Sequence, residues 1–114
     1  MNSKTKGIHG ENRASEYLEH AGFEILERNY QEGKAEIDLI TLFNNILLVF
    51  VEVKVRKGDA FGEPESFVSE GQQRRIIRLA DDYVHAINWT GDIRFDIISI
   101  NAKGEVYHIE DAFY

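Results

Sequence analysis

The sequence predicts an α/β fold: one mixed β-sheet of about five strands covered by helices, in the order helix, three strands, helix, two strands. Three observations carry this. Two stretches repeat apolar residues at helical spacing, five others alternate or run apolar over strand lengths, and turn-forming residues fall between them. The 114 residues suit a single domain spanning positions 1–114, and 43% hydrophobic residues are enough to build its core. No cysteine is present, which excludes disulfide frameworks, iron–sulfur clusters, thiolate zinc sites and cysteine nucleophiles.

The elements follow in order. Ala14, Tyr17, Leu18 and Ala21 recur at helical spacing from about Gly10, and Gly22 is the expected stop. Phe23 to Tyr30 reads as a strand ending in the turn Gln31-Glu32-Gly33-Lys34. Glu36 to Ile40 and Leu47 to Val55 read as two more strands, joined around Asn44-Asn45. Arg56 to Ser66, with two glycines and the single proline, Pro64, reads as a loop. A second helix is expected over Ser69 to Ala86, burying Ile76, Ile77, Ala80, Tyr83, Val84 and Ile87 and projecting Arg74, Arg75 and Arg78 roughly opposite. Ile93 to Ile100 and Glu105 to Ile109 complete the sheet across the turn Asn101 to Gly104.

Charge and hydropathy narrow the setting. The longest apolar run, Ile46 to Val51, falls far short of the roughly 20 residues that span a bilayer. The first six residues carry no apolar stretch of a secretory signal, so a cytoplasmic, membrane-free setting is expected. Twenty acidic against thirteen basic residues give a net charge of −7, whereas nucleic-acid-binding domains are typically basic. The cations are nonetheless clustered, as Lys54, Arg56 and Lys57 and then Arg74, Arg75 and Arg78. Binding depends on such local fields, which a divalent metal can reverse.

The candidate chemistry lies in three carboxylates and a lysine. Strand periodicity puts Glu36 and Asp38 on one face, and Glu52 and Lys54 on one face of their own strand. Leu48 and Phe50 share the face of Glu52, so that face is covered, and charges there are costly unless paired or bound to a metal. Asp38 and Glu52 converge only if the hairpin between them has an odd-length loop or a bulge. A two-residue turn at Asn44-Asn45 would send them to opposite faces. Glu11 borders the apolar stripe of the first helix and can point along the sheet. Fully ionised, such a cluster wants a divalent cation or raised carboxylate pKa values. Oxygen donors without cysteine favour magnesium or manganese, held by Asp38, Glu52 and the backbone carbonyl of Val53. Lys54 would orient or deprotonate a water, or stabilise developing negative charge.

Asp38, a gap, and then Glu52-Val53-Lys54 resembles the PD-(D/E)xK nuclease motif, and Glu11 resembles the extra helical glutamate of its Holliday-junction-resolvase-like branch. More specifically, the chain is similar to the YraN-like family of uncharacterised bacterial proteins, placed in the restriction-endonuclease-like fold. Matching segments include Gly10-Glu11, Ile25 to Tyr30, Glu36 to Ile40, Val49 to Arg56, Phe61-Gly62, Gln73 to Arg75, Arg94 to Asp96 and His108 to Phe113. The resemblance covers nearly the whole chain. It implies the fold and a nuclease site but no particular substrate; the expectation built on it is a magnesium- or manganese-dependent endonuclease hydrolysing phosphodiester bonds in branched or structured DNA, with RNA the weaker alternative. In that reading Glu11, Asp38, Glu52 and Lys54 are catalytic, and Glu11 joins Asp38, Glu52 and the Val53 carbonyl around the metal. Arg56, Lys57, Arg74, Arg75 and Arg78 contact the nucleic acid. A two-fold symmetric substrate would call for a homodimer. Two positions depart from the family pattern. Ala35 replaces a glycine, and Gln72 replaces a lysine that commonly opens the second helix, an exchange expected to remove a phosphate contact and leave the triad untouched.

Each feature has a plainer alternative. For Asp38, Glu52 and Lys54 it is a strand-end salt bridge, and for Glu11 a helix N-terminal carboxylate favoured by the macrodipole. Glu36 is expected at a solvated strand position, the arginines on an ordinary solvated helix face, and Asp96 in an internal ion pair or backbone cap. The four histidines show no metal-ligand spacing and are expected to be structural or surface residues. The rival function is a non-catalytic nucleic-acid- or protein-binding adaptor on the same fold.

Overall fold

The computed structural model describes residues 3–62 and 68–114. Helix α1 (Ser3–His20) is followed by strands β1 (Phe23–Glu32), β2 (Ala35–Phe43) and β3 (Leu47–Val55). Helix α2 (Glu70–Ala86) then leads to β4 (Asp92–Ile100) and β5 (Val106–Ile109). This is the expected order of a mixed α/β fold. The five strands lie side by side in chain order, antiparallel throughout except for the parallel pair β3–β4, which α2 connects. The expected loop after β3 is described as far as Gly62, and Pro64 lies outside the described residues. Among the described residues, no helix is long and apolar enough to cross a membrane.

Local chemistry sets the element ends. Ser69 caps α2, its hydroxyl oxygen accepting from the Gln72 N–H at 3.2 Å, a cap generally worth about 1 kcal/mol. Gly22, at φ 95°, ends α1 as expected. Helix α1 begins well before Gly10; residues 3–9 contain Ile8 as their one large apolar side chain, so the sequence carries too little helical stripe there to show it. The first hairpin is tighter than expected. Glu32 pairs with Ala35 across Gly33-Lys34 alone, and the exposed, polar end of β1 leaves no alternation to mark its extent.

The two faces of the sheet bury separate clusters. Leu48 and Phe50 of β3 pack with Phe95, Ile97 and the α2 residues Ile76, Leu79, Ala80 and Tyr83. Val49 and Val51 pack on the other face with Ala14 and Leu18 of α1 and with Leu39, Ile98 and Ile100. Burying each such large side chain is worth roughly 1.5–3 kcal/mol. The α2 stripe is rotated from the expected one. Leu79 is buried, Ile77 and Val84 are half-buried, and Ile87 is 42% exposed, beyond the helix at its C-cap. Positions 76, 79, 80 and 83 keep the i, i+3, i+4, i+7 pattern, and Ile87 falls where the chain leaves the sheet.

Candidate active site

The β2–β3 hairpin decides whether the two carboxylates can meet. Its loop is three residues, Asn44-Asn45-Ile46, with Phe43 opposite Leu47 and the Ile46 N–H donating to the Phe43 carbonyl at 3.1 Å. Asn44 and Asn45 take left-handed φ values of 54° and 61°, which asparagine tolerates better than most residues. The odd loop sets a register of Leu42 against Leu48 and Leu39 against Val51, and it carries Asp38 towards Glu52.

Backbone pairing between β2 and β3 stops at Leu39 and Val51. Beyond it, side chains replace the ladder. The Asp38 N–H donates to Glu52 Oε2 at 3.1 Å, and the Val53 N–H donates to Asp38 Oδ2 at 2.8 Å. Glu52 Oε1 accepts from Gln72 Nε2 at 3.3 Å, across from α2. The two acids therefore stand at a split between strands, each with one oxygen fixed by the other strand's backbone. Val53's carbonyl lies on the same strand edge as its N–H and faces the same split.

Glu52 is only 3% exposed. Burial pushes its carboxyl well above the ordinary range, and the Asp38 charge adds to the effect. Asp38 is likewise pushed up by burial, to about 6, with the Glu11 and Glu36 charges adding and the Val53 N–H and Lys54 opposing. The fully ionised pair is thus penalised, as the sequence anticipates for such a cluster without a bound cation.

Asp38, Glu52, Val53 and Lys54 line a cleft of about 330 Å³ with Lys34, Glu36, Gln72, Arg75 and Ile76. Lys54 lowers both carboxyl pKa values from a distance and forms no ion pair among the described residues, so the strand-end salt bridge is not made. Glu36 is exposed, as expected, yet it borders the cleft and raises both acids. Gln72 touches Glu52 directly, which corrects the expectation that its exchange leaves the triad untouched.

Glu11 sits in the middle of α1, not at its N-terminus, so the macrodipole does not account for it. It is 9% exposed and accepts from Asn29 Nδ2 at 2.8 Å, with Arg28 Nη2 at 4.0 Å. Gly10 explains how α1 reaches this position: a Cβ there would collide with Val55 Cγ2, so only glycine allows this approach over the end of β3 without a shift. Glu11 influences Asp38 electrostatically but lies outside the lining of the carboxylate cleft. Among the described residues, no three His, Cys, Asp or Glu side chains converge to hold a metal ion. The donor set that does fit a hard divalent cation is two carboxylates plus a main-chain carbonyl, with water completing the shell.

The expected nucleic-acid contacts divide. Arg74, Arg75 and Arg78 are exposed on α2, and Lys57 is exposed just after β3. Only Arg75 of these reaches the carboxylate cleft, whereas Arg74 and Arg78 border a groove with Ile93, Phe95 and Tyr114. Arg56 is half-buried, its Nε donating to the Phe61 carbonyl at 3.1 Å, and it braces the loop after β3. Sequence reasoning did not find Lys34 or the Asn29 contact. Lys34 reads simply as a turn residue, and Asn29's left-handed φ of 52° has no local signal beyond asparagine itself.

Asp96 serves the structure, as expected. Fully buried, it accepts from Arg94 Nε and Nη2, both at 2.8 Å, and from the Asp111 N–H at 3.0 Å. His108 Nε2 stands 2.7 Å from its Oδ2, and the other ring nitrogen of His108 lies 3.1 Å from the Tyr17 hydroxyl. The remaining histidines, His9, His20 and His85, are exposed.

Fold and site together define a small mixed α/β protein with a paired, buried carboxylate centre at a strand split. The chain belongs to the uncharacterised protein family UPF0102, whose sequence profile matches residues 10–100. A UPF0102 protein of Cytophaga hutchinsonii is 42% identical over 106 residues, covering 93% of each chain. One from Phocaeicola vulgatus is 40% identical over 95% of this chain and 91% of its own. Among solved structures, Pyrococcus furiosus SfsA in complex with Ca2+ aligns at a TM-score of 0.39 and 18% identity. That alignment covers 96% of this chain and 64% of SfsA.

Proposed function

We propose that this protein is a metal-dependent endonuclease hydrolysing phosphodiester bonds in DNA, with branched or structured DNA as its substrate. One observation carries the reading: Asp38 and Glu52 replace the backbone ladder at a strand split, beside a lysine that neither of them pairs. Asp38, Glu52 and the Val53 carbonyl would hold magnesium or manganese, and Glu11 would act on the site through its charge on Asp38. A bound ion would supply a Lewis acid and lower the pKa of a water, so that hydroxide is available as the nucleophile near neutral pH. The chain's own groups do the rest. Lys54, which forms no ion pair among the described residues, would as an ammonium orient that water or neutralise a phosphate oxygen, or as the neutral amine take the water's proton. Gln72 holds the outer oxygen of Glu52 so that the carboxylate keeps its orientation. Cutting both strands of a two-fold symmetric substrate would take two copies of the site, hence a homodimer on DNA.

The net charge of −7 favours one competing reading, a non-catalytic nucleic-acid- or protein-binding adaptor. Labelled branched, single-stranded and duplex DNA incubated with magnesium, manganese or EDTA separates the two. The endonuclease cuts at least one substrate with metal, stops in EDTA, and is silenced by Asp38→Asn. A folded protein that cuts none of them is the adaptor.

A further inference from the structure

Lys34, at the tip of the β1–β2 hairpin, and Arg75, on α2, each border two spaces. One is the carboxylate cleft. The other is an adjoining groove of about 390 Å³ between the hairpin tip and α2, lined also by Glu32, Gly33, Ala35, Arg78, Leu79 and Asp82. The two spaces therefore share a basic wall, and the groove leads away from Asp38 and Glu52 towards Arg78. Arg75 is drawn towards the start of α2: its Nη1 stands 3.5 Å from where a Cβ on Gly71 would lie.

Among the described residues, the basic side chains along this path are uncommitted. Lys34, Arg75 and Arg78 are all exposed, and none forms a hydrogen bond or ion pair among the described residues, although Glu32, Glu36 and Asp82 line the same spaces. In a chain of net charge −7, the adjoining groove sets Lys34, Arg75 and Arg78, which form no side-chain ion pair among the described residues, against only Glu32 and Asp82, a small local excess of positive charge that suits a polyanion. Arg74 lies outside both spaces, in the groove beside Phe95 and Tyr114.

We propose that a nucleic-acid strand reaches the carboxylates through the groove between the β1–β2 hairpin tip and α2, its backbone phosphates held by Lys34 and Arg75 at the mouth and by Arg78 beyond. The assignment rests on the endonuclease reading for the direction of the path. The ligand chemistry is the phosphodiester backbone, which DNA and RNA share.

Fluorescence anisotropy of the full chain with a labelled single-stranded DNA, and with an RNA of the same sequence, tests it in EDTA across a salt series. Each phosphate contact to a single strand contributes a slope of about −0.7 in log K against log salt. Lys34→Ala and Arg75→Ala should each weaken binding several-fold and flatten the slope by about that amount, the double variant by about twice as much. Lys34→Arg should keep the original slope, and Lys103→Ala, at the turn before β5 and outside both spaces, should leave it unchanged. Loss of slope with both oligonucleotides, or with the tighter binder alone, supports the groove and identifies the source. Unchanged slopes in Lys34→Ala and Arg75→Ala, or no binding by the unsubstituted chain, overturn it. Flattened slopes in a protein that never cuts DNA would keep the groove and discard the endonuclease.

Discussion

Replacing Asp38 by asparagine should make the protein more stable at neutral and alkaline pH while removing the chemistry proposed for the site. The native carboxyl is raised from 3.8 to about 6, chiefly by burial and then by the Glu11 and Glu36 charges. Between those two values the native state binds more protons than the unfolded chain, so stability falls as pH rises through that window. Above it the penalty is constant. The difference between 3.8 and about 6, at about 1.36 kcal/mol per pH unit, gives an upper limit of about 3 kcal/mol. Asparagine can still accept the Val53 N–H, although a neutral acceptor loses part of that bond, about 1 kcal/mol. The expected net gain at pH 8 is therefore about 1–2 kcal/mol, shrinking towards zero or below near pH 4. Removing the Asp38 charge also eases Glu52, which acts in the same direction. Urea unfolding of both proteins at pH 4, 6 and 8 reads this directly. A variant less stable than the parent at pH 8, or two parallel pH profiles, would refute the idea that the pair stores electrostatic strain.

Two further substitutions probe separate parts of the structure. Burial pushes Asp96 up, but the bonds from His108, Arg94 and the Asp111 N–H outweigh it and hold its carboxyl below the ordinary value. Its contribution is therefore present above about pH 4 and lost on acidification through the lowered value, the opposite sign to Asp38. Asp96→Asn should cost about 3–5 kcal/mol at pH 7 by leaving the buried partners uncompensated, measured by the same unfolding series. Gln72→Lys should place an ammonium beside Glu52, lower its pKa and reduce the parent's loss of stability between pH 4 and pH 8. An unchanged pH profile in this variant would mean that the residue at 72 does not act on Glu52.

What the sequence revealed, and what it hid, follows from the range of the interactions. Strand β3 is legible to its ends, because an apolar run bounded by asparagines on one side and Arg56-Lys57-Gly58 on the other leaves few alternatives. Ser69 marks the start of α2 by its capping chemistry. The convergence of Asp38 and Glu52 is legible only as a condition on loop length. Asn44-Asn45 suits a two-residue turn as well as the three-residue loop that forms, in which Ile46 is 68% exposed. Side chains brought in by tertiary packing were out of reach. Nothing local places Lys34 across from Arg75, or Gln72 against Glu52, because hairpin tip and helix meet only once the sheet has formed. The depth of Glu11 in its helix is hidden for another reason, the weak apolar stripe of residues 3–9. Of the candidate set, then, the residue types and their strand positions come from sequence, and the split shared by Asp38 and Glu52 comes from the fold.

The most direct test of the site is manganese binding, followed by electron paramagnetic resonance at pH 8 without nucleic acid. The account predicts saturable binding of free ion by the parent protein, abolished by Asp38→Asn and by Glu52→Gln. Binding that survives both substitutions, or a parent protein that leaves all the manganese free, would contradict a cation site at the split between β2 and β3.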